Sequence, residues 1–205
     1  MTATRFLDQA YRVNSPETAR SFYDDWAGSY DTEITQNGYA TPGRISDALA
    51  SFARDFSTPV LDFACGTGLS GAQLKRVGFA VIDGVDISSE MLDGAAEKGV
   101  YRALHLSQPG TPLPLGKGSY GVVAAVGAIG HGAAPLSMVD ELLGLLQPGG
   151  LFAVSFNDKT LSDPAYQARL DSEVAAGRAR LLLQEHGDHL PGIGMGATVY
   201  VLEVV

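Results

Sequence analysis

One nine-residue stretch limits the fold more than anything else in the chain. Val60-Leu61-Asp62-Phe63-Ala64-Cys65-Gly66-Thr67-Gly68 is an apolar run that ends in small residues and gives way to the amphipathic pattern of Leu69 to Val77. A buried strand that turns through small residues into a helix can bring bare backbone amides up to a ligand. The alternation continues downstream, with strands expected over Pro59–Phe63, Phe79–Val85, Tyr101–Leu106, Gly121–Val126 and Leu151–Phe156. Helices are expected from Ser88 to Lys98, from Pro135 to Gln147 and from Asp163-Pro164 to Ala176. The tail reads as two more strands, Ala179–Gln184 and Thr198–Val204, joined by a Gly-rich loop. Five βα units that finish in a hairpin predict an α/β fold, an open and mostly parallel sheet with helices on both faces.

Upstream, Ser15 followed by Pro16 reads as a cap and first helical residue, and Ala19, Phe22, Tyr23, Trp26 and Tyr30 fall on one face behind it. A second helix is expected from Pro42 to Phe56. A length of 205 residues suits one well-buried core. Residues 1–205 are therefore expected to form a single domain, with N-terminal helices over 1–57 and the sheet core over 58–205.

The second strand ends in Val85-Asp86-Ile87-Ser88, which places Asp86 20 positions after Gly66. That is the spacing at which an acid holds ribose hydroxyls, so an adenosine moiety is expected across the carboxyl ends of the first two strands. A nicotinamide site would cradle a pyrophosphate in G-x-G-x-x-G, and Gly66, Gly68 and Gly71 can be laid on that template. Asp62 separates the alternatives, because a carboxylate just before the turn repels a pyrophosphate but accepts hydrogen bonds from the amino-acid end of a phosphate-free cofactor.

Leu61-Asp62-Phe63-Ala64-Cys65-Gly66-Thr67-Gly68 resembles the first motif of class I S-adenosylmethionine-dependent methyltransferases, and Val85-Asp86-Ile87-Ser88-Ser89-Glu90-Met91-Leu92 resembles their second. Leu146-Gln147-Pro148-Gly149-Gly150-Leu151-Phe152 is similar to their turn into strand five, and Phe22 to Asp31 to the aromatic segment ahead of the core. With Gly127-Ala128-Ile129-Gly130-His131, the pattern is most similar to the methyltransferase-like branch named after the Williams–Beuren syndrome region. The resemblance implies a Rossmann-like seven-stranded sheet with a C-terminal antiparallel hairpin, and S-adenosylmethionine as cofactor. It assigns Asp62, Ala64, Cys65, Gly66, Thr67 and Gly68 to the turn around the methionine end, and Asp86 to the ribose. Ile87 and Met91 map to packing on adenine, and Gln108 to the position that faces the adenine amine. Tyr30 or Trp26 is implied to close over the methionine arm, with Val126 at the end of strand four beside it. Ala64 replaces the usual first glycine of the turn, and Gly121 stands where relatives commonly carry Asp.

His131 follows strand four, where an open α/β sheet puts its ligand crevice, and is the candidate catalytic base. The aromatic stripe reads equally as a helix face packed on the core. Cys65 reads as a small side chain in the turn, not as a nucleophile. His186, Asp188 and His189 imitate a metal site too sparsely to predict one, so no metal is expected. A net charge of −9 argues against nucleic-acid partners, and no apolar run is long enough to span a membrane. With a single cysteine and no signal-peptide pattern, a cytoplasmic location is expected. The acceptor is expected to be a small molecule, bound among the N-terminal helices, the loop Gln36–Arg44, the turn after strand four and the hairpin loop His186–Gly196.

Overall fold

The computed structural model describes residues 6–10, 16–130 and 132–205. Helices α1 (Leu7–Ala10), α2 (Pro16–Gln36) and α3 (Thr41–Phe52) precede β1 (Val60–Phe63). The alternating core follows as α4 (Leu69–Arg76), β2 (Ile82–Asp86), α5 (Ser89–Glu97), β3 (Ala103–Leu106), β4 (Tyr120–Ala125), α6 (Met138–Gly144) and β5 (Leu146–Asn157). It closes with α7 (Asp158–Leu161), α8 (Pro164–Ala175), β6 (Ala179–Leu190) and β7 (Met195–Val204).

The seven strands lie in the order β3-β2-β1-β4-β5-β7-β6. β7 runs against both β5 and β6, and the other pairs are parallel. After β3 the chain returns across the sheet to place β4 beside β1. Such a reversal of strand order opens a crevice at the carboxyl ends of the strands.

Every residue of β1, β2 and β4 is buried, as helices on both faces require. Leu61, Phe63, Val123 and Phe152 pack on one face with Leu142 of α6 and Leu170 of α8. Val60, Val122 and Val199 pack on the other with Ile45 and Leu49 of α3 and Leu74 of α4. Each such aliphatic side chain contributes about 1.5–3 kcal/mol on burial. A third cluster, including Trp26, Ile34, Met91 and Leu190, draws α2, α5 and the end of β6 together.

Ser88 caps α5 by accepting from the Met91 amide, and Asp163 caps α8 by accepting from Ala165, both at expected starts. Ser15 lies outside the described residues. Three boundaries differ from the sequence reading. α3 stops at Phe52, because Ala53 already has extended backbone, and does not reach Phe56. The helix expected over Pro135–Gln147 is only Met138–Gly144, and Leu146 already pairs with Tyr120. The register then skips to Val122 and Leu151, so Gln147-Pro148-Gly149-Gly150 bulges out, with Gly149 at φ +78°.

The third difference is the hairpin. β6 runs on to Leu190 and only a 3₁₀ turn over Pro191–Ile193 separates it from β7, so most of the loop expected over His186–Gly196 is strand. Gly187 and Gly196 serve close approach, while Gly194 makes the turn at φ +66°. A Cβ on Gly187 would sit 3.0 Å from the Arg44 guanidinium, and one on Gly196 would sit 2.7 Å from the His186 ring. Arg44 of α3 uses that space to donate to the carbonyls of Glu185 (2.8 Å), Asp188 (3.0 Å) and Ala197 (2.9 Å), stitching the N-terminal helix to the hairpin.

Candidate functional site

The turn after β1 is held against β2 by the Cys65 amide, which donates to the Val85 carbonyl (3.1 Å). Ala64, Gly66 and Gly68 all have positive φ, at +53°, +53° and +89°. Two of the three are glycine, and Ala64 is a non-glycine residue held in the left-handed region. Asp86, at the end of β2, accepts from the Gly66 amide through Oδ2 (2.9 Å) and from the Ser88 amide through Oδ1 (3.0 Å). Burial pushes its carboxyl up, opposed by these backbone donors. Each oxygen keeps a lone pair, so the carboxylate can still take two hydroxyls.

Asp62 is fully buried beneath the same turn. Its Oδ2 accepts from Ser70 Oγ (2.7 Å) and from the Tyr101 hydroxyl (2.7 Å), while Oδ1 has no partner among the described residues. Burial raises this carboxyl to about 6, against the pull of the two hydroxyls. A buried acceptor left over after internal bonding fits a cofactor that brings its own N–H donors, as the methionine ammonium does. Tyr101 was missed by the sequence reading, which saw only a strand residue. The signal was Gly71, since a Cβ there would collide with the Tyr101 hydroxyl. Burial beside Asp62 pushes the Tyr101 phenol far up, so it acts as a permanent donor.

Asp31 of α2 was also missed. It accepts from Lys98 Nζ (2.7 Å) and from Thr67 Oγ1, which pins the long N-terminal helix onto the turn. Met91 lies beside the turn, its sulfur 3.9 Å from where a Cβ on Gly66 would be. Ile87 is half-buried just past Asp86. Gln108 is exposed, with its carbonyl engaged by Thr111, while Ser107 before it is buried and donates to the Asp86 carbonyl. The Cys65 thiol faces Gly84, whose Cβ would be 2.8 Å away, and burial raises its pKa, which keeps it an unreactive thiol. Val126 is buried and its carbonyl accepts from the Tyr39 hydroxyl at 3.5 Å. His131 lies outside the described residues.

Beyond the ends of β4 and β5 lies a cleft of about 70 Å³. Tyr23, Trp26, Tyr30 and Ile34 of α2 form one wall. Trp26 is tied down, since its indole donates to Glu33 (3.0 Å) and its ring packs edge-on to Tyr30 at 4.7 Å. Gly127, Ser155 and Asn157 line it from the strand ends, together with Tyr39 and His189. No Asp, Glu, Lys or Arg is among the described residues that line it.

The two histidines read together in sequence diverge. His186 is exposed and pairs with Asp158 (2.9 Å), whereas His189 is buried with Nδ1 2.7 Å from Thr41 Oγ1. Burial holds the His189 imidazole down at about 4, Asp158 opposing and Arg44 assisting. No helix among the described residues is long and apolar enough to cross a membrane.

Residues 61–154 match a family model described as a methyltransferase domain. Methyltransferase-like protein 27 of Homo sapiens is 37% identical over 162 residues, which cover 76% of this chain and 66% of that protein. A ubiquinone biosynthesis O-methyltransferase of Caulobacter is 34% identical over 135 residues, covering 58% of this chain and 53% of that protein. The chain thus spans about half to two thirds of the length of these relatives. The 1,6-didemethyltoxoflavin-N1-methyltransferase of Burkholderia thailandensis, solved with 1,6-didemethyltoxoflavin and S-adenosylhomocysteine, is similar in fold. Its TM-score is 0.66 at 20% identity, over 94% of this chain and 93% of that one.

Proposed function

We propose, from the premise that this chain belongs to the class I S-adenosylmethionine-dependent methyltransferases, that it methylates a small, uncharged acceptor. The observation that carries the acceptor reading is the cleft, which is walled by aromatic and neutral polar side chains without an ionic group among its described residues. A phosphate or carboxylate would be stripped of water there with no counter-charge from the described lining, which is unfavourable. The net charge of −9 points the same way, against nucleic acid.

Bound S-adenosylmethionine supplies a sulfonium methyl that is already a strong electrophile. What is left to the chain is positioning and the exclusion of water. Asp62 would hold the methionine arm and Asp86 the ribose, Asp31 fastens α2 over the turn through Thr67, and the tyrosines of α2 would keep water from the cleft. Burial raises the Tyr30 phenol, so it stays a neutral hydroxyl at physiological pH. A single cysteine suits a reducing compartment, and the reaction is assigned to the cytoplasm as part of this proposal.

Calorimetry with S-adenosylhomocysteine and, separately, NADH tests the cofactor half, and only the first is expected to bind. Turnover of S-adenosylmethionine against a metabolite panel tests the acceptor half. S-adenosylhomocysteine should form with neutral members of the panel and not with their anionic counterparts. Tight cofactor binding with no turnover across the panel would instead mark a binding scaffold.

A further inference from the structure

The imidazole that lines the cleft has two nitrogens in unlike surroundings. His189 Nδ1 lies 2.7 Å from Thr41 Oγ1, and Thr41 is fully buried at the start of α3. The Thr41 hydroxyl has no other hydrogen-bond partner among the described residues. A buried hydroxyl that donated nowhere would be left unsatisfied, so it donates to Nδ1, and the ring proton then resides on Nε2. Nε2 has no partner among the described residues, on a side chain that lines the cleft. Two nearby polar side chains are oriented by backbone amides through their oxygens: Ser155 Oγ accepts from the Gly127 amide (2.8 Å) and Asn157 Oδ1 from the Thr160 amide (2.9 Å).

We propose that His189, with its tautomer fixed by Thr41, presents Nε2–H as the donor that seats an oxygen atom of an uncharged, planar acceptor. The proposal rests on the methyltransferase reading and deepens it. Three features of the cleft support it. Tyr39 packs edge-to-face on the His189 ring (5.3 Å, 88°), which fixes the plane in which the donor points. The tyrosines along α2 provide flat surfaces for a ring to lie on. The cleft is partly open and offers about 70 Å³, roughly half the ~150 Å³ that holds a benzene molecule, so it takes the oxygen-bearing edge of a ring while the remainder faces the opening. Burial keeps the imidazole neutral well below pH 7, so the donor offers direction without charge.

The test uses imidazole NMR of the ¹⁵N-labelled full chain, with and without saturating S-adenosylhomocysteine, titrated with phenol, toluene and benzoate. The expected result is an Nε2–H tautomer for His189 and a saturable shift of that nitrogen by phenol. Toluene, the same shape without the oxygen, should bind on the order of five-fold more weakly, and benzoate should leave the resonance unmoved. Thr41→Val should release the tautomer and bring the phenol-to-toluene ratio close to one, with S-adenosylhomocysteine affinity within two-fold of wild type. Should Thr41→Val lose that affinity, His189→Gln takes its place: it retains an N–H donor and is expected to keep the preference. An Nδ1–H tautomer, equal binding of phenol and toluene, or a benzoate shift as large as that of phenol overturns the proposal. Failure of wild type to bind S-adenosylhomocysteine would instead sink the methyltransferase reading, while the cofactor-free titration still decides the role of His189.

Discussion

Asp86 reaches the Gly66 amide across 20 positions of sequence, and the side chains that anchor the Gly-rich turn and the helix behind it, Asp86, Asp31 and Asp62, are all carboxylates. His189 reaches Thr41 across 148 positions, in a cleft whose described lining carries no charge. One side is compact in sequence and anionic; the other is dispersed and neutral. The difference fits the ligands proposed for the two sides. A cofactor with an ammonium and two ribose hydroxyls supplies the donors that buried carboxylates lack, so the desolvation cost of Asp62 and Asp86 is offset on binding. A neutral acceptor offers no such compensation, and the wall that meets it has to be satisfied by its own hydrogen bonds.

The sharpest way to break this comparison is through pH, where the two sides have opposite signs. Asp62 has a folded-state pKa of about 6, above its unfolded value, so its contribution is full below about 3.9 and is lost as pH rises through 6. His189, at about 4, lies below its unfolded value near 6.5, so its contribution is full above that and is lost as pH falls through 4. Each amounts to about 3 kcal/mol, and between pH 4 and 6.5 they largely offset. Urea unfolding should show Asp62→Asn losing stability on acidification relative to wild type, and His189→Gln losing it as pH rises. Slopes of one sign in both variants would refute the assignment.

Next in size, Asp86→Ala removes the acceptor of two backbone amides as well as the ribose contact. It should weaken S-adenosylhomocysteine by on the order of 100-fold in calorimetry, and an affinity within three-fold of wild type would remove Asp86 from the site. Gly71→Ala forces Tyr101 off Asp62 and should cost about 1–2 kcal/mol of stability, with several-fold weaker cofactor binding. A crystal structure with Tyr101 unmoved would contradict the reason given for that glycine. The smallest effect is expected at Ala64, held at φ +53°. Ala64→Gly relieves strain but enlarges the unfolded ensemble, so thermal melts should place it within about 0.5 kcal/mol of wild type.

Legibility in the sequence followed the same division. The parallel core, the Ser88 cap and the place of the two carboxylates in their strands could be read because each is written in a local pattern of apolar, small and capping residues. Tyr101 could not, as its partner Asp62 is 39 positions away and its strand gives no hint of a hydroxyl turned inward. Gly71 looked like a phosphate-loop glycine when its task is to clear room for that ring. Gly187 and Gly196 of the hairpin suggested a loop, whereas they let Arg44 and His186 cross the strands at close range. Ser155, Asn157 and Thr41 carry no local pattern at all, and only the folded sheet brings them near one another.

The placement of β6 and β7 has a consequence for how the molecule comes into being. Synthesis runs from the N-terminus, so the ribosome releases the strands and turn that carry Asp62 and Asp86 long before Leu190 and its neighbours emerge. Arg44 must wait for carbonyls at Glu185, Asp188 and Ala197 before α3 is fastened. A nascent chain therefore completes the carboxylate-bearing turn before the cleft beside it, and α3 stays unfastened until the hairpin has emerged.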